Sequence, residues 1–121
     1  FDRKLINNGI LNRLKKRGYE IHARSIFLQG LLLESNLHRK FSKWSEIFRF
    51  YKFWLKANNL KKLDVCWNYV RNIKEIDRIV IGFNNLKQLK QILKIKKDNL
   101  NGVPHFMRKE EITLINPTTW K

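Results

Sequence analysis

The sequence predicts an α/β architecture built around a parallel sheet, and three observations predict it. Two short runs rich in apolar and β-branched residues, near 19–28 and 76–83, have the length of strands. Helically spaced apolar residues fill the segments between and around them. Ile79-Val80-Ile81 is apolar without alternation, as in strands covered on both faces of a parallel sheet. Strands alternating with helices form βα units.

The elements follow in order. Residues 5–17 read as a helix whose Ile6, Ile10, Leu11 and Leu14 share a face. Its C-terminal end is basic, which suits the helix dipole, and Gly18 is placed to cap it. The first strand, 19–28, breaks at Gly30. A leucine run from Leu31 becomes a polar connector by Arg39. Ser42 is placed to cap a second helix carrying Trp44, Ile47, Phe48, Tyr51 and Leu55, and Asn58-Asn59 ends it. A third helix, about 60–72, sets Leu60, Leu63, Trp67 and Val70 on one face. After the second strand, Asn84 or Asn85 can cap a last helix with Leu86, Leu89, Ile92 and Leu93. Residues 99–121 read as a tail with Trp120 tucked against the body.

Two strands cannot cover the edges and faces of a parallel sheet. The chain therefore reads as one partial domain, 1–121, of a larger α/β structure. It also opens at Phe1, without methionine, inside sequence that reads as structured, so a fragment is expected.

Composition narrows the function. Of 121 residues, 43% are hydrophobic and 12% aromatic, enough for a packed core rather than disorder. Lys+Arg number 26 against 10 Asp+Glu, a formal charge of +16. That excess serves either a solvated surface or an anionic partner such as nucleic acid. The basic residues are scattered among apolar ones, which favours the solvated surface. Cys66 is the one cysteine, so no internal disulfide forms, and a cytoplasmic location is expected. No apolar run is long enough for a membrane span, and no secretory leader is expected. His22, His38 and His105 lack ligand-like partners, so no metal site is expected. Trp44, Phe48, Tyr51 and Trp54 could stack on bases, but their helical spacing fits a core better. Phe50, Phe53 and Trp54 fall on the other side of that helix, which predicts stickiness.

Both predicted strands end in unusual chemistry. The first ends in Ser25-Ile26-Phe27-Leu28-Gln29-Gly30, placing polar side chains inside the most hydrophobic segment. The second ends in Gly82-Phe83-Asn84-Asn85 and opens straight into a helix. Ligands of parallel α/β folds bind at the C-terminal ends of strands. Glycine lets backbone approach a ligand, and a helix start favours phosphate. Lys87 is a cation where the helix dipole disfavours one, a misfit that a bound anion would explain.

Three segments carry a family resemblance: GYEIHARSIFLQGLLL, then VCWNYVRNIKEIDRIVIGFNNLKQLKQIL, then LINPTTW. In this order the chain resembles the C-terminal part of bacterial aldo/keto reductases, nearest to those of surface-sugar biosynthesis. The resemblance implies the C-terminal portion of a TIM (β/α)8 barrel, with 20–27 as its seventh strand and 76–82 as its eighth. It implies an oxidoreductase that reduces a small carbonyl substrate to an alcohol with NADPH or NADH. Ser25, Phe27, Leu28, Gln29 and Gly30 would lie along the pyrophosphate. Gly82, Phe83, Asn84, Asn85, Gln88 and Gln91 would hold the adenosine part, and Lys87 could meet a 2′-phosphate. The arginine or lysine common in the family near Asn84 or Gln88, and the asparagine common at Ile92, are absent here.

The family's catalytic Asp, Tyr, Lys and His come from earlier strands, so no catalytic residue is assigned. Tyr19, His22 and Lys15 match no catalytic position. The chain alone is expected to be inactive and to need a missing N-terminal barrel half. A small basic nucleic-acid-binding module and a non-catalytic remnant are the alternatives.

Overall fold

The computed structural model describes residues 4–98, 100, 103 and 112–120. The order is α1 (Lys4–Asn7), α2 (Ile10–Lys16), β1 (His22–Arg24), a 3₁₀ segment (Arg39–Trp44), α3 (Ser45–Ala57), α4 (Lys62–Arg71), β2 (Arg78–Val80), α5 (Leu86–Leu93) and α6 (Ile112–Ile115). A 3₁₀ turn follows at Pro117–Thr119. Strands β1 and β2 pair in parallel, with His22 opposite Arg78 and Arg24 opposite Val80. They form a two-stranded sheet.

Several expectations change. The first helix is broken into α1 and α2, because Gly9 takes φ +70° and the Asn8 side chain accepts the Ile10 amide at 3.1 Å. Its apolar face survives, with Leu11 buried. Gly18 does end it: the Tyr19 amide reaches the Leu14 carbonyl and the Gly18 amide the Lys15 carbonyl. Those two bonds, with Gly18 at φ +80°, form a Schellman end. The first strand is shorter than 19–28, because Ser25 leaves the extended region at φ +58°.

Ser42 does not cap α3. It lies inside the 3₁₀ segment, where its carbonyl accepts the Ser45 amide. Asn59, at φ +51°, ends α3 in the same way that Gly18 ends α2.

Helix α4 turns a different face inward from the one expected. Its buried residues are Val65, Cys66 and Asn68, while Leu60, Leu63, Trp67 and Val70 are half-buried. Strand β2 is not covered on both faces, since Val80 is 52% exposed. Of the apolar residues of α5, only Ile92 is buried. In the tail, 99, 101–102, 104–111 and 121 lie outside the described residues, and so does His105.

The core has two clusters strung along α3. Phe48 packs with Leu31, Phe41, Trp44 and Leu114. One turn on, Tyr51 and Leu55 pack with Val65 and Val103. Trp120 is tucked against the body as expected. Its ring meets Phe41 edge-on at 4.8 Å, and its indole N–H donates to the Leu114 carbonyl.

Polar contacts fix the sheet. The Asp77 carboxylate accepts Lys15 at 2.7 and 2.9 Å and the Ile21 amide at 2.7 Å. These donors, the Ile21 amide foremost, hold its carboxyl below the usual range. Lys15 thus anchors α2 to the start of both strands. Across them, Glu20 accepts from Arg78 at 2.5 Å and lies 3.1 Å from His22.

The buried Asn68 clamps the chain that leaves α5. Its amide donates to the Lys96 carbonyl at 3.1 Å, and its oxygen accepts the Asp98 amide at 3.2 Å. One turn on, Asn72 donates to the Asp98 carbonyl at 2.9 Å. Asn68→Ala strands both part-buried partners, so about 1–3 kcal/mol of stability should be lost in a urea titration. Asn72→Ala acts at an exposed bond and should cost clearly less. Equal losses for the two variants would refute the clamp.

Candidate functional site

A cleft of about 1170 Å³ opens where the loop after β1 meets the end of β2. The first turn of α4 and the length of α5 bound its remaining sides. Eight of the twelve candidate residues line it: Ser25, Phe27, Gln29, Gly30, Gly82, Asn84, Gln88 and Gln91. The parallel pairing explains this, because it brings the C-terminal ends of both strands to one place.

Four candidates fall elsewhere. Leu28 turns into the core and packs on the Phe41–Trp44 cluster. Phe83, Asn85 and Lys87 are exposed and outside the cleft. Asn85 has an internal role, since its side chain accepts the Gln88 amide at 3.0 Å and caps α5. Gln88 returns the contact by accepting the Asn84 amide at 2.8 Å. The cap holds Asn84 and Gln88 at the cleft.

The loop after β1 has an uncommon backbone. Ser25, Leu28, Gln29 and Gly30 all have φ between +50° and +86°. For non-glycine residues this conformation costs roughly 1–2 kcal/mol each. Packing of Leu28 and Leu31 in the core, and bonds from the amides of Leu28, Leu31, Leu32 and Leu33 back into the loop, hold it there. The amides of Gln29 and Gly30 bond to no group among the described residues. Consecutive backbone N–H groups of this kind suit an anion. At Gly30 and Gly82 nothing lies within 4 Å of where a Cβ would sit. Gly82 also has no positive φ, so nothing in the described fold requires a glycine there.

The sequence reading missed the cations of the cleft: Arg24, Lys61, Lys62 and Lys94, against one carboxylate, Asp64. A signal was present in Lys61-Lys62, two cations at the start of a helix, where the dipole disfavours them. Lys62 is committed to the fold. Its ammonium donates to the carbonyls of Leu33 and Glu34, beside Lys52, which donates to the Ser35 carbonyl. Burial, then repulsion from Lys52, pushes its ammonium below the usual lysine range. Arg24, Lys61 and Lys94 have no carboxylate within ion-pairing distance among the described residues.

A second cavity, about 460 Å³, lies between β1 and helices α2, α3 and α4 and is lined mainly by aliphatic side chains. Arg24, Ser25 and Ile26 border both spaces. Nearby, the Tyr51 hydroxyl and the Cys66 thiol meet at 3.9 Å. Burial pushes the thiol up to about 11 and the phenol further above its usual value, so Cys66 is no thiolate at neutral pH. Among the described residues no cluster of His, Cys, Asp and Glu could hold a metal ion, and no helix is long and apolar enough to cross a membrane. No protein family, curated protein or solved structure matches the chain.

Proposed function

We propose that this chain is the C-terminal section of an NAD(P)H-dependent aldo/keto reductase barrel acting in the cytoplasm. On this reading it supplies part of the cofactor cleft and none of the catalytic groups. The observation that carries the reading is the meeting of two polar strand ends at one basic cleft. The donors suit a dinucleotide. The free amides of Gln29 and Gly30 face phosphate, Arg24 adds charge, and Asn84 and Gln91 offer carboxamides to the adenosine part. Gly82 leaves room for a ligand to approach the backbone. The cofactor, once bound, supplies the hydride that reduces a small carbonyl substrate. The residues of this chain bind and orient it.

Gly82→Leu tests the reading. Gly30 is a poorer probe, because any side chain there also meets the strain of φ +86°. Gly82 lines the cleft, and a side chain there meets neither such strain nor any atom within 4 Å of its Cβ. The protein is expressed from its complete reading frame and titrated with NADPH and NADH by tryptophan fluorescence. Gly82→Leu should weaken both cofactors by about tenfold or more, or at least 1.4 kcal/mol, with the melting temperature unchanged. Unchanged cofactor affinity beside tight, salt-sensitive DNA binding would instead support the nucleic-acid module, since phosphate contacts release counterions.

A further inference from the structure

We infer that the outward face of α3 docks on an anionic lipid surface, with Phe50 and Phe53 entering the headgroup layer between basic side chains. The inference stands apart from the dinucleotide reading and uses no part of the cleft. Helix α3 carries two stripes. Phe48, Tyr51 and Leu55 form the buried one. Glu46, Arg49, Phe50, Phe53, Lys56 and Ala57 follow the same three- and four-residue spacing on the opposite side, and all of them are exposed. Phe53 is 71% exposed and Phe50 43%, on a face that ordinarily carries polar side chains. Ile47, Phe48 and Tyr51 border the cavity against β1, so the sheet lies on the far side of the helix from Phe53. Further βα units would stack along the sheet and leave this face bare.

The charges around the two rings decide the partner. Residues 39–57 hold six basic side chains and one acid, Glu46. Glu46 lies 3.7 Å from Arg49, a largely exposed pair that solvent screens. Arg49 also sits over the Phe50 ring at 5.6 Å. Lys43 and Lys52 are engaged, by the Trp44 ring and the Ser35 carbonyl. Lys56 has no ion pair or side-chain hydrogen bond among the described residues. Arg49 and Lys56 thus stand one turn before and one turn after Phe53, where lipid phosphates and carboxylates would meet them. Nucleic acid is the other polyanion this charge could serve. Single-strand sites combine stacking rings with a basic groove along the phosphates. Here the rings crown the convex outside of one helix. Rings without a polar atom suit the boundary between headgroups and acyl chains, which takes apolar side chains to a shallow depth and needs no groove. The +16 charge of the chain adds attraction to an anionic leaflet.

The protein from its complete reading frame is sedimented with vesicles of phosphatidylcholine alone and of equal parts phosphatidylcholine and phosphatidylserine. It should bind the anionic vesicles and not the neutral ones. Phe50→Ser combined with Phe53→Ser should weaken that binding by about tenfold or more, with the melting temperature unchanged. Arg49→Gln combined with Lys56→Gln should weaken it to a similar extent. Lys87→Gln combined with Lys90→Gln removes the same charge from α5, away from the docked face, and should have less than about a twofold effect. Phe53→Trp should keep the affinity, and lipids brominated on their acyl chains should quench its added fluorescence. An equal loss from the α5 pair assigns binding to the general positive field, and the inference fails. It also fails if neither vesicle binds the protein, if both bind it equally, if either α3 pair leaves vesicle binding unchanged, or if the added tryptophan stays unquenched. Affinity for a single-stranded oligonucleotide that falls in the serine pair, with no vesicle binding, would assign the face to nucleic acid instead.

Discussion

Trp44→Ala should remove about 3–5 kcal/mol of stability, a large part of the total that a domain of this size holds. Trp44 joins the 3₁₀ segment to α3 and is 6% exposed. Its ring lies 6.0 Å from that of Phe41, and the Lys43 ammonium sits over it at 4.1 Å. Phe48, Leu31 and Leu114 complete the cluster, so one truncation opens a void bordered by three separate segments. Those segments include the start of the leucine run after the strained loop. Losing Trp44 should therefore also loosen the backbone that Leu28 and Leu31 hold in place. Phe53→Ser is the contrast, since Phe53 lies on the same helix but is 71% exposed. Its effect should stay within about 0.5 kcal/mol. Guanidinium unfolding of the two variants measures both, and a loss at Phe53 as large as that at Trp44 would reverse the assignment of the core.

Much of this fold was legible because period and punctuation agree. Phe48, Tyr51 and Leu55 recur at helical spacing and are buried, while Phe50 and Phe53, off that stripe, are exposed. Gly18 and Asn59 ended helices for a local reason, their tolerance of positive φ. What failed depended on distant partners. The face of α4 was misjudged because Asn68 looks like a surface residue, yet it is buried to clamp the Lys96–Asp98 backbone. Nothing local encodes a clamp across 28 residues. Strand β1 was drawn too long because Ser25 through Leu28 have strand-like composition, whereas tertiary packing forces positive φ at both ends of that stretch. In the cleft, the polar residues at the strand ends were found because strand direction alone places them. Arg24 and Lys61 were missed because scattered charge carries no period.

The 121-residue chain expressed alone should expose apolar surface and self-associate. In α5, Leu86 and Leu93 are 62% and 75% exposed, and seven residues apart they share one face of the helix. Val80, the last residue of β2 and the middle of the Ile79-Val80-Ile81 run, is half exposed where a parallel strand is ordinarily covered. Each strand of the pair also leaves one edge unpaired among the described residues. These features lie on one part of the fold, the sheet and the helix after it, where further βα units would stack if the barrel reading is right. The +16 charge opposes association, so the effect should grow with salt as repulsion is screened. Light scattering should give at least twice the monomer mass at high salt, with strong binding of an apolar dye. Leu86→Lys combined with Leu93→Lys should restore the monomer and cut dye binding, because both side chains leave only solvent-facing positions. On the partial-barrel reading, co-expression with the N-terminal barrel half that this reading requires should remove dye binding and give cooperative unfolding. A monomeric wild-type chain that binds no dye and unfolds in one sharp, reversible step would show an independent domain, and the partial-barrel reading would then be abandoned.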